Sequence, residues 1–188
     1  MNLPNRITLG RLGFTAACFA LLESVRDPVT PPPVIVWWAF GLFLFATATD
    51  FVDGWVARRF GQVTALGRIL DPFCDKVLIC GALVCLLRFP AASVHLSSWM
   101  VVVVVSREFL VTAVRGLAEK EGMAFPADQL GKAKMLIQSV TAAALMADVA
   151  GATWTQPIAA VGVWVTVVVT AISGANYLVK ARKVLRED

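Results

Sequence analysis

Apolar residues run along this chain in six blocks, covering about residues 5–22, 34–57, 70–87, 96–117, 130–149 and 156–179. Each block approaches the roughly 20 residues that a helix needs to cross a lipid bilayer. Polar or proline-bearing segments separate them, among them Pro31-Pro32-Pro33 before the second block and Phe89-Pro90 after the third. The pattern predicts an all-α, polytopic integral membrane protein with six transmembrane helices, and a length of 188 residues leaves room for a single domain, 1–188.

Composition agrees with that reading. Hydrophobic residues make up 58% of the chain and charged residues 16%, against about 45–50% and about 25% in soluble domains. The charges are also unevenly placed. With the N-terminus inside, the inner loops hold Arg58, Arg59, Arg68, Lys76, Arg115, Lys120, Lys132 and Lys134, and the tail holds Lys180, Arg182, Lys183 and Arg186. The outer loops then hold only Arg26 and Arg88. This positive-inside asymmetry puts both termini in the cytoplasm, and Trp37, Trp38, Trp99 and Trp154 mark the outer interface. A net charge of +4 suits an inner surface facing anionic lipid headgroups, and nothing points to nucleic acid. The arginines ahead of Ala16-Ala17-Cys18 imitate a signal peptide, but Arg11 leaves too few apolar residues before that cysteine, so the segment reads as a retained first helix.

Four aspartates break the apolar pattern. Asp50, Asp53, Gly54, Ala57 and Arg58 share one face of a helix that ends the second block, and Asp71 and Asp75 share a face at the start of the third. The intervening segment, about residues 59–68, is short enough to hold the two helix ends side by side. Carboxylates so close would repel and raise one another's pKa without a cation, and an oxygen-only donor set favours Mg²⁺ or Mn²⁺ over zinc. The glycine and alanine beside them leave bare backbone for a large anionic ligand. Ionisable residues inside spans are functional by default. A cation-coupled transporter is the competing class, but transporters place such charges near the midplane, whereas these lie at the inner interface.

The run Asp50-x-x-Asp53-Gly54-x-x-Ala57-Arg58, followed after eight residues by Gly67-x-x-x-Asp71-x-x-x-Asp75, closely resembles the signature of the CDP-alcohol phosphotransferases at every defined position. Softer likenesses to the phosphatidylglycerophosphate synthase branch lie at Pro4-Asn5-Arg6-Ile7-Thr8, Ser106-Arg107-Glu108, Ala113-Val114-Arg115 and Gly131-Lys132-Ala133-Lys134. The resemblance implies a multi-pass enzyme of the bacterial cytoplasmic membrane with its active site at the inner face. It would move a phosphatidyl group from CDP-diacylglycerol to an alcohol and release CMP, with glycerol 3-phosphate as the expected acceptor. Inositol phosphate, serine and other alcohols are the runners-up, and a homodimer among membrane lipids is the expected assembly.

Residue roles follow from the resemblance. Asp50, Asp53, Asp71 and Asp75 would hold two Mg²⁺ or Mn²⁺ ions, and Asp75 would also serve as general base. Gly54, Ala57, Arg58 and Gly67 would bind CDP, joined by Thr64 and the segment bearing Asn5 and Thr8. A two-metal clamp suits a pyrophosphate ester, whose leaving phosphate needs its charge neutralised. An acceptor that carries phosphate needs cations of its own. Arg107 sits deep in the fourth block, sharing an arc of helix with Glu108, Thr112 and Arg115, while Lys132 and Lys134 open the fifth with Gln138 one turn on. These side chains are the expected lining for the acceptor's phosphate. Pro72 leaves one matter open: it belongs to a first turn if the third helix starts at Asp71, and removes a hydrogen bond if the helix starts nearer Gly67. Cys18, Cys74, Cys80 and Cys85 have no zinc spacing, and the single histidine, His95, lies in an outer loop away from the aspartates.

Overall fold

A computed structural model describes residues 3–60, 65–120 and 129–184, with side chains described at 8–49, 70, 72–116, 131, 133–179 and 182. These residues form α1 (Leu3–Ser24), α2 (Pro33–Phe60), α3 (Ala65–Leu86), α4 (Pro90–Ser93), α5 (Ser98–Lys120), α6 (Gln129–Val149) and α7 (Gln156–Val184), with a 3-10 turn at Thr153–Thr155. No strand occurs among the described residues. The six long helices coincide with the six apolar blocks, and the four-residue α4 sits in the linker between the third and fourth.

Local chemistry sets several boundaries. Pro33 opens α2 and Pro90 sits in the first turn of α4, where the missing N–H removes nothing from the helix. The end of α6 is closed by a Schellman arrangement: Ala152 N–H reaches the carbonyl of Ala147 at 2.9 Å and Gly151 N–H that of Asp148 at 2.9 Å. Gly151 takes φ of +96° there, a conformation that favours glycine. Helix α3 begins at Ala65, so Pro72 lies inside it. Of the two possibilities left by the sequence, the second holds, and Pro72 supplies no donor to the carbonyl one turn back.

Helix α1 packs on α2 and α3, α5 on α7, and α6 on α7 and α2, while α3 meets α5 and α6. Buried positions recur at intervals of three and four residues, as in Thr15, Cys18 and Leu22 on α1, Val36, Ala39, Phe43 and Ala46 on α2, and Ala159, Val163, Thr166 and Thr170 on α7. Helix α1 approaches α3 closely at Gly81, where a Cβ would fall 2.3 Å from Cζ of Phe19. At the C-terminal end of α1, Arg88 donates to the carbonyl oxygens of Glu23 at 3.1 Å and Val25 at 2.8 Å and to the Glu23 carboxylate at 2.9 Å. Arg88 thus caps the last turn of the first helix.

Polar side chains are buried beside this apolar core, while large apolar side chains stand on the outside. Inward faces carry Thr8, Arg11 and Thr15 on α1, Lys134, Gln138 and Thr141 on α6, and Thr166, Thr170 and Ser173 on α7. Two of these make rungs between α6 and α7: Gln138 Nε2 donates to Thr170 Oγ1 at 3.3 Å, and the hydroxyls of Thr141 and Thr166 lie 3.2 Å apart. Outward faces carry Val102, Phe109, Leu136, Val161, Val168 and Ile172, and Trp37, Trp38, Trp99 and Trp154 are exposed too. Among the described residues, the segment Thr153–Val179 is long and apolar enough to cross a membrane, and Pro33–Thr49 is a shorter apolar stretch.

Candidate active site

Four helices enclose a cavity of about 220 Å³. Asp75 and Lys76 enter it from α3, Arg107, Glu108 and Arg115 from α5, Lys134 and Gln138 from α6, and Tyr177 from α7. Helical spacing explains the convergence: Arg107, Val111 and Arg115 stand four residues apart on α5, and Lys134 and Gln138 four apart on α6, so each set shares a face.

Glu108 is the hub of the charges. Its Oε1 accepts from Arg107 Nη1 at 3.2 Å and from Lys134 Nζ, and all three side chains are buried. Arg107 Nη2 donates to Ser173 Oγ at 2.5 Å, and Arg115 Nη2 to the Tyr177 hydroxyl at 2.6 Å. The guanidinium carbons of Arg107 and Arg115 lie 5.5 Å and 5.4 Å from the centre of the Tyr177 ring, within cation–π range. Lys76 Nζ donates to the Thr112 hydroxyl, which itself donates to the Glu108 carbonyl at 2.7 Å.

Asp75 stands at the cavity wall with its side chain one quarter exposed, and its Oδ1 accepts from Arg11 Nη1 at 2.8 Å. The Arg11 side chain is wholly buried, one turn along α1 from buried Thr8. Four cations, Lys76, Arg107, Arg115 and Lys134, therefore line a cavity that holds two carboxylates, Asp75 and Glu108. Asp75 already carries a buried cation of its own. The surplus positive charge in a confined, partly desolvated space suits an anion, and guanidinium forks suit phosphate in particular.

Of the residues singled out in the sequence, Asp75, Arg107, Arg115 and Lys134 come together here. Asn5, Asp50, Asp53, Gly54, Ala57, Arg58, Gly67, Asp71 and Lys132 lie on described helices but outside the described side chains, and Thr64 lies outside the described residues. Among the described residues, no three His, Cys, Asp or Glu side chains gather as a metal-ligating group. The pairing of Arg107 with Glu108 is present, yet Arg107 also faces the cavity, so packing and site roles coincide in one side chain. Sequence reading missed Arg11, Ser173 and Tyr177, and counted Lys76 only as an inner-face charge. A signal existed for two of them: Arg11 interrupts an apolar block, and Tyr177 is the chain's single tyrosine.

Comparison with known proteins gives a consistent result. The family described as CDP-alcohol phosphatidyltransferase matches residues 1–172. A CDP-diacylglycerol--glycerol-3-phosphate 3-phosphatidyltransferase of Bacillus subtilis is 36% identical over 192 aligned positions, covering 98% of this chain and 97% of the relative. A protein of the same name from Treponema pallidum is 33% identical, covering 94% of this chain and 86% of its own length. A probable phosphatidylglycerophosphate synthase of Mycobacterium tuberculosis is 31% identical, covering 96% and 81%.

Proposed function

The chain belongs to the CDP-alcohol phosphatidyltransferase family, and from that membership we propose that it transfers the phosphatidyl group of CDP-diacylglycerol to a hydroxyl of sn-glycerol 3-phosphate, giving phosphatidylglycerophosphate and CMP. The observation that carries a phosphate-bearing acceptor is the cluster of Lys76, Arg107, Arg115 and Lys134 around one cavity beside Asp75. An uncharged alcohol does not need four cations, whereas a phosphate monoester does. The names of the B. subtilis and T. pallidum relatives state the same acceptor.

In this reading the arginines and Lys134 hold the acceptor's phosphate, so that its free hydroxyl lies toward Asp75. Asp75 takes the hydroxyl proton as the oxygen attacks the phosphorus that bears diacylglycerol. The bond from that phosphorus to the oxygen of CMP breaks, and CMP departs with the bonding electrons. Arg11 orients the carboxylate during this step through its bond to Oδ1.

Asp50, Asp53, Asp71 and Asp75 are the residues that would hold Mg²⁺ or Mn²⁺. Asp75, whose side chain is described, presents carboxylate oxygen at the cavity wall, the donor a hard divalent cation takes. When bound, such ions supply neutralisation of the pyrophosphate charge. Gly54, Ala57, Arg58, Gly67, Thr64, Asn5 and Thr8 form the CDP side of the site in the same reading.

The protein resides in the membrane with six spans, both termini and the cavity on the cytoplasmic side, and pairs as a homodimer. Support for the spans comes from the six long helices and from the placement of polar side chains inward and large apolar ones outward, the arrangement that a hydrocarbon solvent demands. A membrane assay with CDP-diacylglycerol, Mg²⁺ or Mn²⁺, and a panel of glycerol 3-phosphate, inositol phosphate and serine tests the function. CMP release specific to glycerol 3-phosphate is expected, and release with another acceptor alone overturns the assignment.

A further inference from the structure

Besides the Glu108 carboxylate that Arg107 shares with Lys134, one short stretch of α7, residues 173–177, seats the two arginines of the cavity. Ser173 accepts from Arg107 at 2.5 Å and Tyr177 from Arg115 at 2.6 Å. Gly174 leaves the space that the Arg107 stem fills, since a Cβ there would come within 3.2 Å of Arg107 Cγ. Arg107 and Arg115 leave α5 about 12 Å apart along its axis, yet both guanidiniums reach the face of the same Tyr177 ring. A shared aromatic ring brings together two like charges that would otherwise splay.

These α7 partners are neutral, so they hold the guanidiniums without adding negative charge; among the described residues Arg107 alone of the two pairs with a carboxylate, Glu108, which Lys134 shares. Each arginine also keeps an Nε–H that is buried and has no hydrogen-bond acceptor among the described residues. A buried donor without an acceptor is expensive unless a ligand supplies one. All three α7 residues lie past residue 172, where the match to the family as a whole ends.

We propose that Tyr177 is a specificity-determining positioning residue: its ring and hydroxyl align Arg107 and Arg115 as a pair that selects acceptors bearing a phosphate monoester over uncharged alcohols. The inference rests on the acceptor reading above and adds to it the residue that sets the geometry. Tyr177 acts through the arginines, so its removal weakens acceptor recognition and leaves the donor half of the reaction in place.

The test uses the full-length enzyme in membranes or detergent, with Tyr177→Phe and Tyr177→Leu beside Arg107→Ala and Arg115→Ala, and with glycerol 3-phosphate and glycerol as acceptors. Tyr177→Phe keeps the ring and loses the oxygen that Arg115 contacts, and should raise KM for glycerol 3-phosphate by about tenfold. Tyr177→Leu loses the ring as well and should raise it by roughly a hundredfold. In both, KM for CDP-diacylglycerol stays within about twofold, and the preference for glycerol 3-phosphate over glycerol falls in step. If Tyr177→Leu raises both KM values alike, or lowers kcat alone, Tyr177 is structural and the inference fails. It fails too if the arginine variants raise the acceptor KM while Tyr177→Leu does not, and the acceptor reading then survives. If the arginine variants leave the acceptor KM unchanged, the acceptor reading falls and takes this inference with it.

Discussion

Arg11 and Asp75 form an ion pair of 2.8 Å between α1 and α3, with the arginine side chain wholly buried and the carboxylate at the edge of the cavity. The first helix therefore does more than anchor the chain: it fixes one oxygen of the residue assigned as general base. A charge buried to this degree is sustained by its partners.

Replacing Arg11 with Met should lower both stability and turnover. Loss of a charge-assisted bond in a buried setting amounts to about 2–3 kcal/mol, and the Asp75 carboxylate loses the donor that fixes its Oδ1. Arg11→Lys should recover part of the stability, since a point charge replaces a fork. Thermal unfolding and CMP release, measured together, check this. Wild-type values of both in Arg11→Met would show that the pair has no role.

Asp75→Asn should abolish turnover while preserving binding of CDP-diacylglycerol. The amide keeps the shape and one oxygen but does not accept the hydroxyl proton. A metal titration should accompany the assay, because the same carboxylate is a proposed ligand. Near-normal CMP release from the purified variant would remove Asp75 from the role of base.

Arg107→Ala and Arg115→Ala should raise KM for glycerol 3-phosphate far more than KM for CDP-diacylglycerol. One charge-assisted bond to a phosphate in a partly desolvated site is worth on the order of 2–3 kcal/mol, a factor of roughly 30 to 150. Arg107 is the more buried of the two and shares Glu108 with Lys134, so its variant should also melt earlier. Folded variants of both that retain the wild-type acceptor KM would place the acceptor elsewhere.

Gly81→Ala should destabilise the packing of α1 on α3. The new methyl group would meet the Phe19 ring at 2.3 Å, and the ring yields only by shifting the helix or leaving its rotamer. Overpacking of this kind costs typically 1–3 kcal/mol. A fall in the thermal midpoint checks it, and Phe19→Leu in the same chain should restore much of the loss by making room.

The helices were legible because each apolar block has the length of a helix and ends at proline, glycine or charge. Pro72 was not resolvable from sequence, since a proline fits both a first turn and a helix interior, and only the start of α3 at Ala65 distinguishes them. The cations of the cavity were legible where charge stood out against an apolar background, as with Arg107, Arg115 and Lys134. Ser173 and Tyr177 were not, because a hydroxyl and a ring near the end of an apolar block look like ordinary filling until α7 is set against α5. Arg11 was visible as an oddity but not as a partner. Its pairing with Asp75 spans 64 positions of sequence, and no local periodicity encodes a contact of that range.

The hydroxyl and amide rungs between α6 and α7 give the last helix discrete settings rather than a continuum. Sliding α7 by one residue advances it about 1.5 Å and turns it about 100°, which would strip both the Gln138–Thr170 and the Thr141–Thr166 contacts in one motion. The same turn would swing Tyr177 off the two arginines. The rungs thus act as a detent that favours one phase of α7 against α6. Thr166 and Thr170, buried between the helices, set the register in which Ser173 and Tyr177, further along α7, meet the two arginines.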